Sequence, residues 1–357
     1  MTGVLADSQI HDMIGAGRIA ATAPFQSGQV QPASLDLRLG DMAYRVRASF
    51  LPGRGNTVTD RLDELTMHEV PLTGGAVLEK GCVYVVPLTE RLSLPDGMTA
   101  AASAKSSTGR LDLMTRVITD HGVEFDRVCD GYDGPLYAEI CPQSFSVVAQ
   151  TGQMLTQIIF RQGRTVLSDD ELREVHARTP IVADTPVISE GLGFSVDLRP
   201  ETGDLVGYRA KRHTGLIDLA KLDHYDPADF WEEVRTTKGR IILDPGAFYI
   251  LMSREAISIP PDCAAEMAPY VAMAGEFRVH YAGFFDPGFG WAEAGGAGSR
   301  GVLEVRCHEA PFVLEHGQVV GRLIYERMAA RPALLYGKAL ASNYQGQGLK
   351  LSKHFRG

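Results

Sequence analysis

Apolar positions along this chain come in short runs such as CVYVVPL, AFYILMS, SFSVVAQ and RLIYERM, rich in Val, Ile, Phe and Tyr and bounded by Gly or Pro. β-Branched and aromatic side chains fit a pleated, half-buried surface, so these runs predict strands. Helical patterning is rare. Asp7 can cap a first helix carrying Ile10, Met13 and Ile14 and ending near Gly15 or Gly17. Ser168 and Glu171 make a capping box that opens SDDELREVHAR, and DPADFWEEV, 226–234, predicts a third helix. The fold class is mainly β with a few short helices.

The pattern also occurs twice. SLDLR at 34–38 returns as SVDLR at 195–199, and each is followed by Gly-Asp and Tyr-Arg. VLEKGCVYVVPLTERLSLPDG, 77–97, returns as ILDPGAFYILMSREAISIPPD from Ile242; LYAEI around Glu139 returns as VLEVR around Glu304; TGQMLTQIIFR, 151–161, returns as HGQVVGRLIYE, 316–326. From residue 77 onward these pairs share an offset of 165 residues, which marks a tandem duplication of one domain. The expected layout is a domain at 1–162, a linker at 163–190 and a second domain at 191–357. Each domain should be a β-barrel or jelly-roll-like unit, with the 226–234 helix inserted in the second.

Composition narrows the setting. The chain has 357 residues, 45% apolar and 22% charged, enough for two cores. It has no apolar run of membrane-spanning length, and MTGVLADSQIHDMIG lacks the basic start and apolar stretch of a secretion signal. The five cysteines (Cys82, Cys129, Cys141, Cys263, Cys307) are never spaced CxxC, which predicts reduced, buried thiols in a cytoplasmic protein. A net charge of −9 argues against a nucleic-acid partner. Yet no acidic residue follows Glu326, whereas Arg327, Arg331, Lys338, Lys350, Lys353 and Arg356 are basic. Such a tail is either a local anion site or a solvated end.

Two features carry chemistry. AKSSTGRLDL, 104–113, gathers Lys105, Ser106, Ser107, Thr108, Gly109 and Arg110. Hydroxyls, backbone amides beside a glycine and a guanidinium fork suit phosphate oxygens; the alternative is a helix start capped by Ser106 or Ser107 with Arg110 on the surface. Glu139 and Glu304 each interrupt an apolar strand after Gly-rich turns. A carboxylate there is costly unless it is paired or working, and harmless only if alternation points it outward.

Together QPASLDLRLG (32–40, with Gln31), KSSTGRLDL, GYDGPLYAEI (131–140), the TGQ turn at 151–153 and SNYQGQGLKLSKHF (342–355) resemble the dCTP deaminase branch of the dUTPase-like superfamily, in a fused double-length form. The resemblance covers nearly the whole chain, least at 163–190 and 205–240. It implies distorted β-barrels, a homotrimer (six barrels here) and dCTP sites at the seams between barrels. It implies that Ser106, Ser107 and Arg110 bind the triphosphate, that Glu139 and Glu304 take the catalytic place, and that Asp286 of FDPGFG lies on the base or sugar side. Tyr344, Gln345 and Gln347 match the tail residues that close over the phosphates. Asn343 stands where the family has Lys, so Lys350 or Lys353 would substitute. Magnesium would ride on the triphosphate.

The sequence adds a chemical argument. None of the ten histidines begins an H-x-E and there is no CxxC, so a deamination here would proceed without zinc, with water activated by a carboxylate of raised pKa. The product would be dUTP, a precursor in pyrimidine deoxynucleotide metabolism, made by hydrolysis of a cyclic amidine C–N bond. The second copy has APYVAMAG, 268–275, in place of SSTGR. The first domain would then supply the phosphate motif, and a second would supply Glu304 with the tail, or the tail alone. The neighbouring phosphate motif favours Glu139 as the working carboxylate. Rival readings are a dUTP diphosphatase or bifunctional enzyme using Asp130 or Asp126, and a nucleotide-binding regulator without catalysis. His121 could touch the base or be structural.

Overall fold

The computed structural model describes residues 2–269, 277–280, 283–337 and 344–356. The apolar runs form strands, and the strands build a similar pair of sheets twice. In the first copy one sheet runs Thr66–Pro71, Met42–Val46, Val83–Ser93, Asp133–Pro142, Leu113–Thr119. The facing sheet runs Gly3–Val4, Met154–Gln162, Met98–Ala104, Arg127–Val128. The second copy repeats them as Trp231–Arg235, Leu205–Ala210, Phe248–Ile257, Ser299–Cys307, Phe277–His280 and as Leu192–Ser195, Val319–Arg327, Cys263–Pro269, Phe284–Phe285. Among the described residues no helix is long and apolar enough to cross a membrane.

Among the described residues there are five short α-helices, α1 (Asp7–Gly15), α2 (Val58–Leu65), α3 (Ser106–Gly109), α4 (Asp169–Arg178) and α5 (Pro227–Phe230). Asp7 does not cap α1. It is the first helical residue after Ala6, and its carboxylate accepts the Ala333 and Leu334 amides at 3.0 and 3.1 Å, tying the chain end to the first barrel. The α4 capping box forms as expected, with Ser168 Oγ accepting the Glu171 amide at 3.3 Å. The 226–234 helix is shorter than expected. Asp226 caps α5 through the Ala228 amide, but from Trp231 the chain is a strand paired with Leu205–Ala210, where Trp231 and Val234 suit the pleat. Helix α2 was not foreseen; its box uses Thr57 and Asp60 in place of the usual Glu or Gln.

The copies interlock. The strand Ile217–Asp218, from the second copy's insertion, runs parallel beside Val147–Ala149 of the first. Phe355 lies 5.5–6.3 Å by ring centroid from Tyr225, Phe230 and Trp231, and with Leu351 it joins the first barrel's core. The described end of the tail is therefore packed, not solvated. Cys141, Cys263 and Cys307 are buried, Cys82 is partly so, and Cys129 is exposed, against the expectation that all five are buried.

Candidate active site

Strand alternation decides where Glu304 goes. Leu303, Val305 and Cys307 point into the second barrel's own core, so Val302, Glu304 and Arg306 point out of it. That outer face is not solvent. Val302 and its neighbours Phe248 and Ile250 pack into the first barrel's core, so Glu304 is only 5% exposed. It lines a cleft between the barrels together with Ser106, Ser107 and Arg110. Burial pushes its carboxyl up to about 8, with Arg110 pulling it down and Asp112 adding to the rise.

The phosphate motif forms α3, preceded by Lys105, and no side chain caps it. Ser107 Oγ and the Tyr344 hydroxyl are hydrogen-bonded at 2.8 Å. Arg110 donates to the Gln347 side-chain oxygen and the Lys350 carbonyl, both at 2.9 Å, and its guanidinium lies 3.8 Å over the Tyr344 ring. Its Nε is buried without a partner among the described residues. Thr108 is buried in the helix turn and Gly109 lines the cleft.

Tail residues are held from the second barrel. Gln345 donates to the Gly288 carbonyl and accepts the Gly290 amide, both at 3.0 Å, while Gln347 donates to the Arg300 carbonyl. The Lys350 ammonium lies 5.8 Å from the Tyr344 ring, and Lys353 lines the cleft itself. Burial pushes Lys353 down, and Lys105 adds to the fall. Asn343 and residues 270–275 of APYVAMAG lie outside the described residues.

Asp286 enters the cleft from the turn after Phe284–Phe285 and accepts the Ala33 amide at 3.1 Å. Burial raises it to about 7. The turn depends on Gly288, whose φ of 99° favours glycine, and a side chain there would meet Tyr336 backbone at 2.8 Å.

Glu139 is elsewhere. Its outer face is covered by the first copy's own α2, since Tyr137 packs with Val58 and Leu62, and Glu139 is fully buried. Its register partner is Arg116, which donates through Nε at 3.2 Å and through Nη2, and which stacks over Phe125. Glu304 has His280 at that register position, so no arginine sits opposite it. The two glutamates of the repeat thus have different neighbours, and the phosphate motif meets Glu304. Asp126 is half-buried, accepts the Val117 amide at 2.7 Å and is raised to about 7, chiefly by desolvation. Asp130 accepts the Gly97 amide at 2.6 Å, and His121 sits exposed in a turn beside Asn56; none of the three lines the cleft.

Asp36, Gln157 and Tyr336 belong to the site without having been expected there. Asp36 pairs with Lys105 and is pushed up by burial against that lysine's pull. Its presence in both SLDLR and SVDLR was the available signal. Gln31 of the QPASLDLRLG motif lines the cleft, as do Gln157 and Tyr336, which carried no signal of their own.

The family model for the N-terminal domain of 2'-deoxycytidine 5'-triphosphate deaminase matches residues 1–164, and that for its C-terminal domain matches 168–355. A dCTP deaminase, dUMP-forming, from Methanosphaerula palustris is 31% identical over 165 residues, 44% of this chain and 80% of the relative. A dCTP deaminase from Halorubrum lacusprofundi is 30% identical over 163 residues, 44% and 77% respectively. The crystal structure of 2'-deoxycytidine 5'-triphosphate deaminase from Agrobacterium tumefaciens is 53% identical, covers 92% of this chain and 99% of its own, and superposes with a TM-score of 0.89. The two-barrel chain belongs to the dCTP deaminase family.

Proposed function

We propose that this protein converts dCTP and water to dUTP and ammonia in the cytoplasm, as a homotrimer of six barrels, with Glu304 as general base and acid and without zinc. The observation that carries the reading is the meeting of Glu304 with Ser106, Ser107 and Arg110 in one buried cleft. The substrate enters as its magnesium complex. Its phosphates take the Ser106 and Ser107 hydroxyls and the Arg110 fork, with Lys105 and Lys353 adding positive charge and the Tyr344–Lys350 tail lying over them. The base then lies toward Asp286 and Glu304.

Glu304 takes a proton from water as the hydroxide oxygen bonds to C4 of cytosine. It delivers that proton to N3, then takes the proton of the new C4 hydroxyl and passes it to the exocyclic nitrogen as the C4 carbonyl forms, the C4–N bond breaks and ammonia leaves. A carboxyl near 8 can both accept and return a proton near neutrality, which a carboxyl at its ordinary value cannot do as well. Glu139, held by Arg116, serves as a structural counter-ion in this scheme.

A second reading adds loss of pyrophosphate to give dUMP, as the name of the Methanosphaerula relative suggests. Ammonia and pyrophosphate are measured together, on dCTP and separately on dUTP, with and without a chelator that strips zinc but leaves magnesium. Ammonia in step with dUTP, undiminished by the chelator, is expected. Pyrophosphate alongside ammonia selects the second reading. Tight dCTP binding with no ammonia would reassign the chain as a nucleotide-binding regulator.

A further inference from the structure

Just beyond the phosphate motif, Asp112 has φ 54°, a left-handed backbone uncommon for a residue with a side chain, and it is 1% exposed. A buried carboxylate at a strained position is kept only where its surroundings hold it. Here Ser144 Oγ donates to Asp112 Oδ2 at 2.6 Å, and Arg306 of the second barrel forms an ion pair with the same oxygen. Arg306 is itself fixed, donating through Nη1 to the Gly246 carbonyl at 2.9 Å. It stands two residues after Glu304 on one strand, and alternation puts both side chains on one face. Asp112 stands two residues after Arg110 on the other barrel. The repeat lacks this arrangement, because Cys141 occupies the place of Arg306 in the strand of Glu139.

We propose that Asp112 and Arg306 form a clamp between the barrels, a pair of positioning residues that set the Glu304 carboxyl against the phosphate motif. The inference deepens the deaminase reading and rests on it for the reaction, though not for the geometry. The charged and titratable groups around Glu304 are Lys105, Arg110 and Asp112 from the first barrel, Arg306 on its own strand, Asp286 and Tyr336 across the cleft, and Tyr344 and Lys353 of the tail. His280 is its register partner on the neighbouring strand. Of these, Asp112 adds negative charge and Arg306 offsets it. Loss of either partner therefore moves the Glu304 proton equilibrium in opposite directions, which a purely structural role would not do.

The test uses the full chain with Asp112→Asn, Asp112→Gly and Arg306→Gln. Asn and Gly both accept the left-handed backbone, so the first two variants remove the carboxylate without adding strain. The Glu304 carboxyl is titrated by carbon NMR on glutamate-labelled protein, assigned by Glu304→Gln, and dCTP turnover is followed across pH. Asp112→Asn and Asp112→Gly should lower the Glu304 titration and the acid limb of kcat/KM, and Arg306→Gln should raise both. In each variant kcat should fall on the order of tenfold with KM little changed, as expected for a displaced acid–base group. Titrations that stay in place, or move in one direction in all three variants, overturn the clamp. A wild-type chain that releases no ammonia sinks the deaminase reading instead, and the titration still decides the clamp.

Discussion

Arg110 and Tyr344 stand face to face, the guanidinium 3.8 Å from the ring, though 234 residues of chain separate them. The stack joins the phosphate motif of the first barrel to a tail anchored on the second through Gln345 and Gln347. Lysine at 110 keeps the charge but cannot stack flat or present a two-pronged fork. Arg110→Lys should raise KM for dCTP by roughly tenfold or more, corresponding to about 1.4 kcal/mol, and lower kcat less. Steady-state ammonia release checks this, and an unchanged KM would count against Arg110 as a phosphate ligand.

The repeated glutamates give a sharper contrast. Glu304→Gln removes the proposed base and should cut kcat by about 10² to 10⁴ while dCTP still binds. Glu139→Gln leaves the cleft intact but breaks an ion pair whose carboxylate is fully buried and strands Arg116. Its cost should appear in stability, on the order of 3 kcal/mol or less given that Arg116 is 28% exposed, with turnover near wild type. Parallel thermal melts and turnover assays separate the two. An inactive Glu139→Gln that melts like wild type would return the catalytic place to the first copy.

Much of this was legible in the sequence. The duplication, the strand runs and the α4 capping box follow from local pattern, and local pattern survives folding. Which glutamate meets the phosphate motif was not legible. Both follow the same alternation, and each points away from its own core. What differs is the cover: α2, opened by an atypical Thr57–Asp60 box, seals Glu139, whereas the first barrel itself covers Glu304. Propensity at 226–234 likewise favoured helix, but pairing with Leu205–Ala210 took the chain from Trp231 onward. Such outcomes depend on long-range packing, which periodicity along the chain does not encode.

The tail's anchorage can be tested away from the chemistry. Phe355 is buried among Tyr225, Phe230 and Trp231, and the turn it closes places Ser352, whose hydroxyl donates to the Ser107 carbonyl at 2.8 Å. Phe355→Ala should cost about 3–5 kcal/mol of stability. Losing that anchor also loosens Tyr344 and Lys353, so KM for dCTP should rise at temperatures where the protein remains folded. A melting temperature equal to wild type would show that the tail contributes nothing to the first barrel.

Stability should also carry the mark of Glu304. Its folded-state value near 8 lies above the ordinary 4.5, so between those values the folded protein holds a proton that the unfolded chain has released. Holding more protons when folded means that stability falls as pH rises through this window and levels off above about 8. His354 works from the other side. Burial lowers it to about 4, so below its ordinary 6.5 the unfolded chain takes the extra proton and stability falls as pH drops. In Glu304→Gln the first effect disappears because an amide does not titrate. The variant should therefore gain on wild type steadily from about pH 4.5 to about 8, with no further gain above. Thermal melts of both proteins in matched buffers read the difference directly; a constant gap across pH would mean that Glu304 keeps its ordinary affinity for protons despite its burial.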